Sequence, residues 1–208
     1  MTTPTQTQPP FIPLRRSGWA TRRTPVWVFA FIAVAVAGVV LVSLSHKPSQ
    51  SQRASDLAKY FGDVKGGIGS CAAGLHDSEN AYGQVIAGDT AHTATARAIF
   101  TFGANNCTLA GNQALTDFAG YQVSEVLSSY NLDTADNDVI TWSFDSTAVQ
   151  QDMTAVLGAA TPTARSAAQA TLKTAIAKLD AQRAALDAIW TAAQKATGAS
   201  AAIPALPA

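Results

Sequence analysis

The 208-residue chain is short of the side chains on which most protein chemistry depends: it has two cysteines, two glutamates, three histidines and only 13% charged residues. Two cysteines 36 positions apart make neither a CxxC redox pair nor a zinc set of ordinary spacing. No G-x-S-x-G, G-x-G-x-x-G, P-loop or H-E-x-x-H occurs anywhere. An enzyme is therefore not expected, and neither is a cofactor.

His76 and Glu79 have the spacing of a metal pair on a helix. Di-iron bundles, however, place Glu before His and draw further glutamates from other helices, and the only other glutamate is Glu125. We read His76 and Glu79 as a solvated helix face, and His92 as a surface residue near a helix start. Asp133, Asp136, Asn137 and Asp138 crowd oxygen ligands into six positions, yet they miss the D-x-[DN]-x-[DN]-G pattern of a calcium loop. A polar loop over 131–138 (NLDTADND) accounts for them. No metal site is expected.

What the chain does have is one long apolar run. Val26 to Leu44 carries no charge and follows a segment holding Arg15, Arg16, Arg22 and Arg23. Nineteen residues at about 1.5 Å each reach ~29 Å, the depth of a bilayer hydrocarbon core. The spacing predicts a membrane-spanning helix over 26–45. Four arginines before it, against His46 and Lys47 after it, place the N-terminus in the cytoplasm and the rest of the chain outside the cell membrane. A cleaved secretory signal is the competing reading, since Ser43-Leu44-Ser45 offers a small-x-small step. Signal cores usually run about 7 to 15 residues and follow shorter leaders, so retention as a signal-anchor is favoured. The bilayer, met through residues 26–44, is then the first partner.

Charge divides the chain at the same place. Residues 1–25 hold four arginines and no acid, whereas 46–208 hold ten Lys or Arg and fourteen Asp or Glu. A mildly acidic external part argues against nucleic acid as a partner. Residues 1–25 read as a disordered cytoplasmic segment and 46–51 as a linker. Residues 52–197 form one helical domain, and 198–208 a disordered tail with few groups to bury.

The first strong pattern runs through Leu57, Phe61, Val64, Ile68, Cys71, Leu75, Ser78, Tyr82 and Val85, at alternating spacings of four and three. This is the seam of one long helix, from about residue 52 to 88. Gly62, Gly66, Gly67, Gly69, Gly74 and Gly83 each weaken it by up to ~1 kcal/mol relative to alanine, so packing must hold it, and the glycines are expected to admit a neighbouring backbone. Gly88, Asp89 and Thr90 end the pattern, and a second helix should start near Ala91.

Cys71 and Cys107 lie eighteen residues on either side of Asp89. In an antiparallel hairpin turning there, they sit at one height and can form a disulfide. The same reflection sends the first seam onto Ala96, Phe100, Gly103, Cys107, Ala110 and Ala114, all apolar or small. Ile99, Phe102, Leu109, Leu115 and Phe118 fall on another face, which further helices are expected to cover.

Near the C-terminus, Thr161-Pro162 reads as a cap and first helical residue, and no breaker follows until Gly198. Ala168, Leu172, Ala175, Leu179, Gln182, Leu186, Ile189 and Ala193 give this helix its seam. Between the hairpin and it, a shorter helix over 146–160 carries Val149, Met153 and Val156. Residues 139–144 (VITWSF) read as an extended or helical stretch whose Trp142 and Phe144 plug the bundle. The fold class is all-α: a transmembrane helix, then an elongated antiparallel bundle of about four helices with one disulfide.

The alanine-rich, lysine-poor composition, with Gly69-Ser70-Cys71, Asn105-Asn106-Cys107 and Tyr121-Gln122-Val123, resembles uncharacterised single-pass membrane proteins of actinobacteria. The resemblance implies a cell-envelope setting and carries no known activity. Two functional readings follow: an envelope scaffold or partner-binding module, or a bundle that senses a ligand between its helices. A filled core with an open apolar groove favours the first, and a closed glycine-lined cavity favours the second.

Overall fold

In a computed structural model, residues 48–120 and 130–207 are described, residues 115–120 as backbone only. The expected membrane helix over 26–45, Arg15, Arg16, Arg22, Arg23, the N-terminal segment, Tyr121-Gln122-Val123 and Glu125 lie outside the described residues. Among the described residues, no helix is long and apolar enough to cross a membrane.

Four α-helices and no strand occur among the described residues: α1 (Gln50–Ile86), α2 (Thr93–Gly120), α3 (Leu132–Gly158) and α4 (Pro162–Thr197). Each packs most extensively on the next in sequence, while α1 also meets α3 and α4 over shorter stretches. The result is an up-and-down bundle.

Helix α1 starts two residues earlier than the apolar pattern alone suggests, because Ser49 caps it, its hydroxyl accepting from the Gln52 N–H at 3.1 Å. Its seam is buried as expected except at Tyr82, which is only half-buried. Gly88 at φ +117° turns the chain, a 3-10 turn over Thr90–His92 follows, and α2 begins at Thr93. All six reflected positions, Ala96, Phe100, Gly103, Cys107, Ala110 and Ala114, are buried.

The glycines behave differently from expectation. At Gly62, Gly66, Gly67, Gly69 and Gly83 an added Cβ would meet nothing within 4 Å, so these positions admit no neighbour. Gly74 is the exception. A Cβ there would lie 2.8 Å from the Gly103 Cα, so the α1 and α2 backbones cross in direct contact one turn from the disulfide.

The middle of the chain corrects three expectations. Residues 131–138 are not a loop: Asn131 takes the left-handed conformation at φ 58° and starts α3, so the acidic cluster winds into the first two turns of a helix. The helix expected over 146–160 consequently runs from Leu132 to Gly158 and absorbs residues 139–144. Trp142 does plug the bundle, fully buried, but Phe144 is 37% exposed and rests over Gly111, whose absent side chain leaves room for the ring.

Helix α4 has the expected bounds, with the Thr161 hydroxyl accepting from the Ala164 N–H and Gly198 closing the helix at φ 71°. Beyond it, the expected disordered tail is instead a non-helical strap. Leu206 is buried in the core, Ile203 packs against it, and the Gln194 side chain donates to the Ala201 carbonyl at 2.6 Å. The strap leaves beside the start of α1: a Cβ on Gly198 would lie 3.0 Å from the Gln50 Nε2.

Candidate functional site

Cys71 and Cys107, predicted to meet, are joined by a disulfide with a Cα separation of 4.2 Å, and both are fully buried. The bond sits in a polar knot. The Ser78 hydroxyl approaches the Gly74 carbonyl at 2.7 Å and the Gln150 Oε1 at 2.8 Å, sharing one proton between them. The Gln150 amide nitrogen donates to the Ser146 carbonyl at 3.1 Å and leans on the Cys107 sulfur at 3.4 Å. One step outward, the Thr147 hydroxyl is 3.2 Å from the Ala104 carbonyl and 3.2 Å from the Thr108 hydroxyl. A buried amide with both ends bonded is a registration device. It offers no open position to a substrate.

Ser78 was visible in the sequence as the lone polar member of its seam. Gln150 was not, because the partners that place it in the knot, Cys107 and Ser78, are 43 and 72 residues away.

The predicted ligand-type residues are dispersed. The Nε2 of His76 lies 3.1 Å from the Asn80 side chain. Burial raises the pKa of Glu79, against the opposing pull of His76; Asp180 adds to the rise and Arg183 counters it. In the acidic cluster, Asp133 and Asn137 are exposed on α3, with the Asn137 amide donating to the Asp133 carbonyl. Asp136 turns inward. Among the described residues, no three histidine, cysteine or acidic side chains gather at a metal-holding distance.

Among the described residues, Asp136 is the one strongly perturbed group. Burial pushes its carboxyl up to about 6, the Tyr60 hydroxyl opposes the rise by bonding to it, and Asp133 one turn away adds to it. Among the described residues, its Oδ1 has no partner, nor do the indole nitrogens of Trp142 and Trp190. Phe61 packs edge-on to Trp190 with ring centroids 6.3 Å apart. This layer, near the start of α1, is densely filled with aromatic rings, and burial has been favoured there over full polar satisfaction.

The open surface lies elsewhere. On the outer side of the α1–α2 hairpin runs a groove of about 480 Å³, lined by Gly74, Asp77, Asn80, Ala81, Gln84, Thr95, Ala98, Ile99 and Phe102. Phe102 is 67% and Leu109 65% exposed, and Ile99 is half-buried. This corrects the expectation that further helices cover that face, at least for these three residues. Leu115 and Phe118 lie beyond the described side chains. The reason is topological: α3 packs on the opposite flank of α2, where Gly111 and Ala104 receive it, and α4 packs on α3.

Helix α2 is also nearly without charge, carrying only Arg97 and Asp117 in 28 residues. Large exposed apolar side chains on a charge-poor helix, beside a groove with polar rims, have the composition of an interface core and not of an ordinary solvated face. Compared with known proteins, the chain matches no family model, no curated protein and no solved structure.

Proposed function

We propose that this protein is a membrane-anchored module of the cell envelope, its bundle outside the cell membrane, which docks a protein partner on the outer α1–α2 face. One observation carries the reading: the helix seams are buried, while Phe102, Leu109 and the adjoining groove stay open to solvent. A buried ligand-sensing cavity is disfavoured on the same ground, because the glycine-rich stretch of α1 faces open space and the groove at Gly74 is open-sided. The anchor rests on the uncharged run at 26–44 and the arginines before it, and the envelope setting also on the actinobacterial resemblance.

Two measurements test this. A membrane-impermeant maleimide applied to intact cells should label a cysteine introduced at exposed Ser166 and spare one at Thr5; the reverse pattern would overturn the topology. A photo-cross-linking phenylalanine analogue in place of Phe102 should give a discrete adduct in membranes, while the same analogue at exposed Ala170 on α4 should give none. Equal, diffuse labelling at both positions would overturn the docking face.

A further inference from the structure

Docking on the outer face leaves the chemistry of the partner open, and the lining of the groove bears on it. Helix α1 forms one wall and α2 the other, and Asp77 is the only charged residue on either. It is exposed and has no ion-pair partner among the described residues. Arg97, the only cation on α2, does not neutralise it, because its guanidinium lies toward α3, 4.0 Å from where a Cβ on Gly158 would stand.

Across the groove from Asp77 stands an aromatic ring. With Cys71 opposite Cys107 and Gly74 against Gly103, Asp77 on α1 is level with about Thr101 on α2, next to Phe102 in the chain. Phe102 lines the groove as well and is 67% exposed. A carboxylate on one wall and an exposed ring on the other, at one height, both attract a cation. The wider field agrees, since residues 46–208 hold ten Lys or Arg against fourteen Asp or Glu and so favour the approach of a basic partner.

Toward the hairpin tip the lining is apolar at Ala81, Ala98 and Ile99, one helical turn from Asp77 and Phe102. In the other direction, exposed Leu109 lies about 10 Å past Phe102 along α2. From Ala98 to Leu109 the apolar stripe therefore runs roughly 16 Å, the length of three helical turns. A helix laid between α1 and α2 satisfies its own backbone groups. An extended segment would have only a few polar side chains to turn to, among them Asn80, Gln84 and Thr95.

We infer that the α1–α2 groove receives a short amphipathic helix of a partner protein, whose arginine or lysine enters between Asp77 and Phe102 and whose apolar residue one turn away rests on Ala81, Ala98 and Ile99. The cation sets the position of the helix along the groove, because Asp77 is the one charged residue lining it. The apolar contacts on either side supply the buried area. The inference rests on the docking reading above and specifies the chemistry of its partner.

The test pans the full chain, held in lipid nanodiscs, against phage-displayed random peptides of about 16 residues, long enough for three turns and both ends. Enriched peptides should carry an arginine or lysine three or four positions from an apolar residue. Their affinity should fall at least ~5-fold, the factor that about 1 kcal/mol supplies, with Asp77→Asn and likewise with Phe102→Ala. It should stay unchanged with Asp63→Asn, an exposed acid elsewhere on α1. Replacing the peptide's cation by glutamine should cost the same factor against the natural chain and nothing further against Asp77→Asn. Since all three substituted positions are exposed, unchanged melting temperatures will show that the variants still fold. Binders without a cation, or equal losses at Asp77 and Asp63, overturn the inference. Binders lost with Phe102→Ala but indifferent to Asp77→Asn overturn the cation and leave the docking face standing. No binder sensitive to either substitution removes both.

Discussion

Asp136 and the glycines show how single positions trade stability. A carboxyl whose pKa is about 6 in the folded chain and near 3.8 in the unfolded one holds its proton more tightly when folded. Its contribution is therefore harmless below pH ~4, grows costly as pH rises from 4 to 6, and is a constant penalty above that. Asp136→Asn is expected to raise stability at pH 7 by up to about 3 kcal/mol and to do little at pH 4; urea melts at the two pH values check it. An equal gain at both would mean that ionisation is not the cause.

Glycine substitutions should split by sign. Gly103→Ala drives a methyl to 2.7 Å from the Gly74 carbonyl and into the Gln150 amide, and should cost roughly 2–4 kcal/mol. Gly66→Ala meets nothing and should add up to ~1 kcal/mol through helix propensity. Thermal melts of the pair measure both signs.

Among the elements, legibility followed the range of the interactions. The hairpin was readable because Cys71, Cys107 and the seam around them repeat with a period fixed by the helix itself. The bounds of α4 were readable because Thr161, Pro162 and Gly198 are local signals. Residues 131–138 read locally as a loop because aspartate and asparagine favour turns, whereas Leu132, Ala135, Asp136 and Val139 are all drawn into the core as one helical stripe.

The strap is illegible for the opposite reason. Its few apolar residues, Ile203 and Leu206, have no period, and only the end of the finished bundle provides a seat for them. Removing residues 199–208 should uncover that seat and lower the melting temperature by several degrees, consistent with loss of one buried leucine and its neighbours at about 2 kcal/mol. Unchanged melting would show that the strap contributes nothing. The open face was the least legible, since no local rule tells whether a second apolar stripe will find a neighbour.

Taken as one object, the bundle is held by consecutive helix pairs and a single covalent crosslink between the first two. Pairing Cys71→Ala with Cys107→Ala frees a 36-residue loop in the unfolded chain. The double variant should be about 3–4 kcal/mol less stable on the chain-entropy account. Because both sulfurs are fully buried, reductant should act on the native protein only as fast as it opens, which thiol trapping over time can follow. The Ser78–Gln150 amide knot is expected to keep register in the variant, so that it melts cooperatively at lower temperature instead of losing its fold.

The placement of that crosslink also has a mechanical meaning. Tension applied between residue 48 and residue 207 enters and leaves at the same end of the bundle, so the outer helices are peeled apart one turn at a time instead of being sheared along their length. The peeling front stops at Cys71, and the segment from there to Cys107 bears no load while the bond is intact. In a single-molecule pull, the oxidised chain should therefore reach full extension about 120 Å sooner than the reduced one. The hairpin tip that carries the groove is shielded from force along with it.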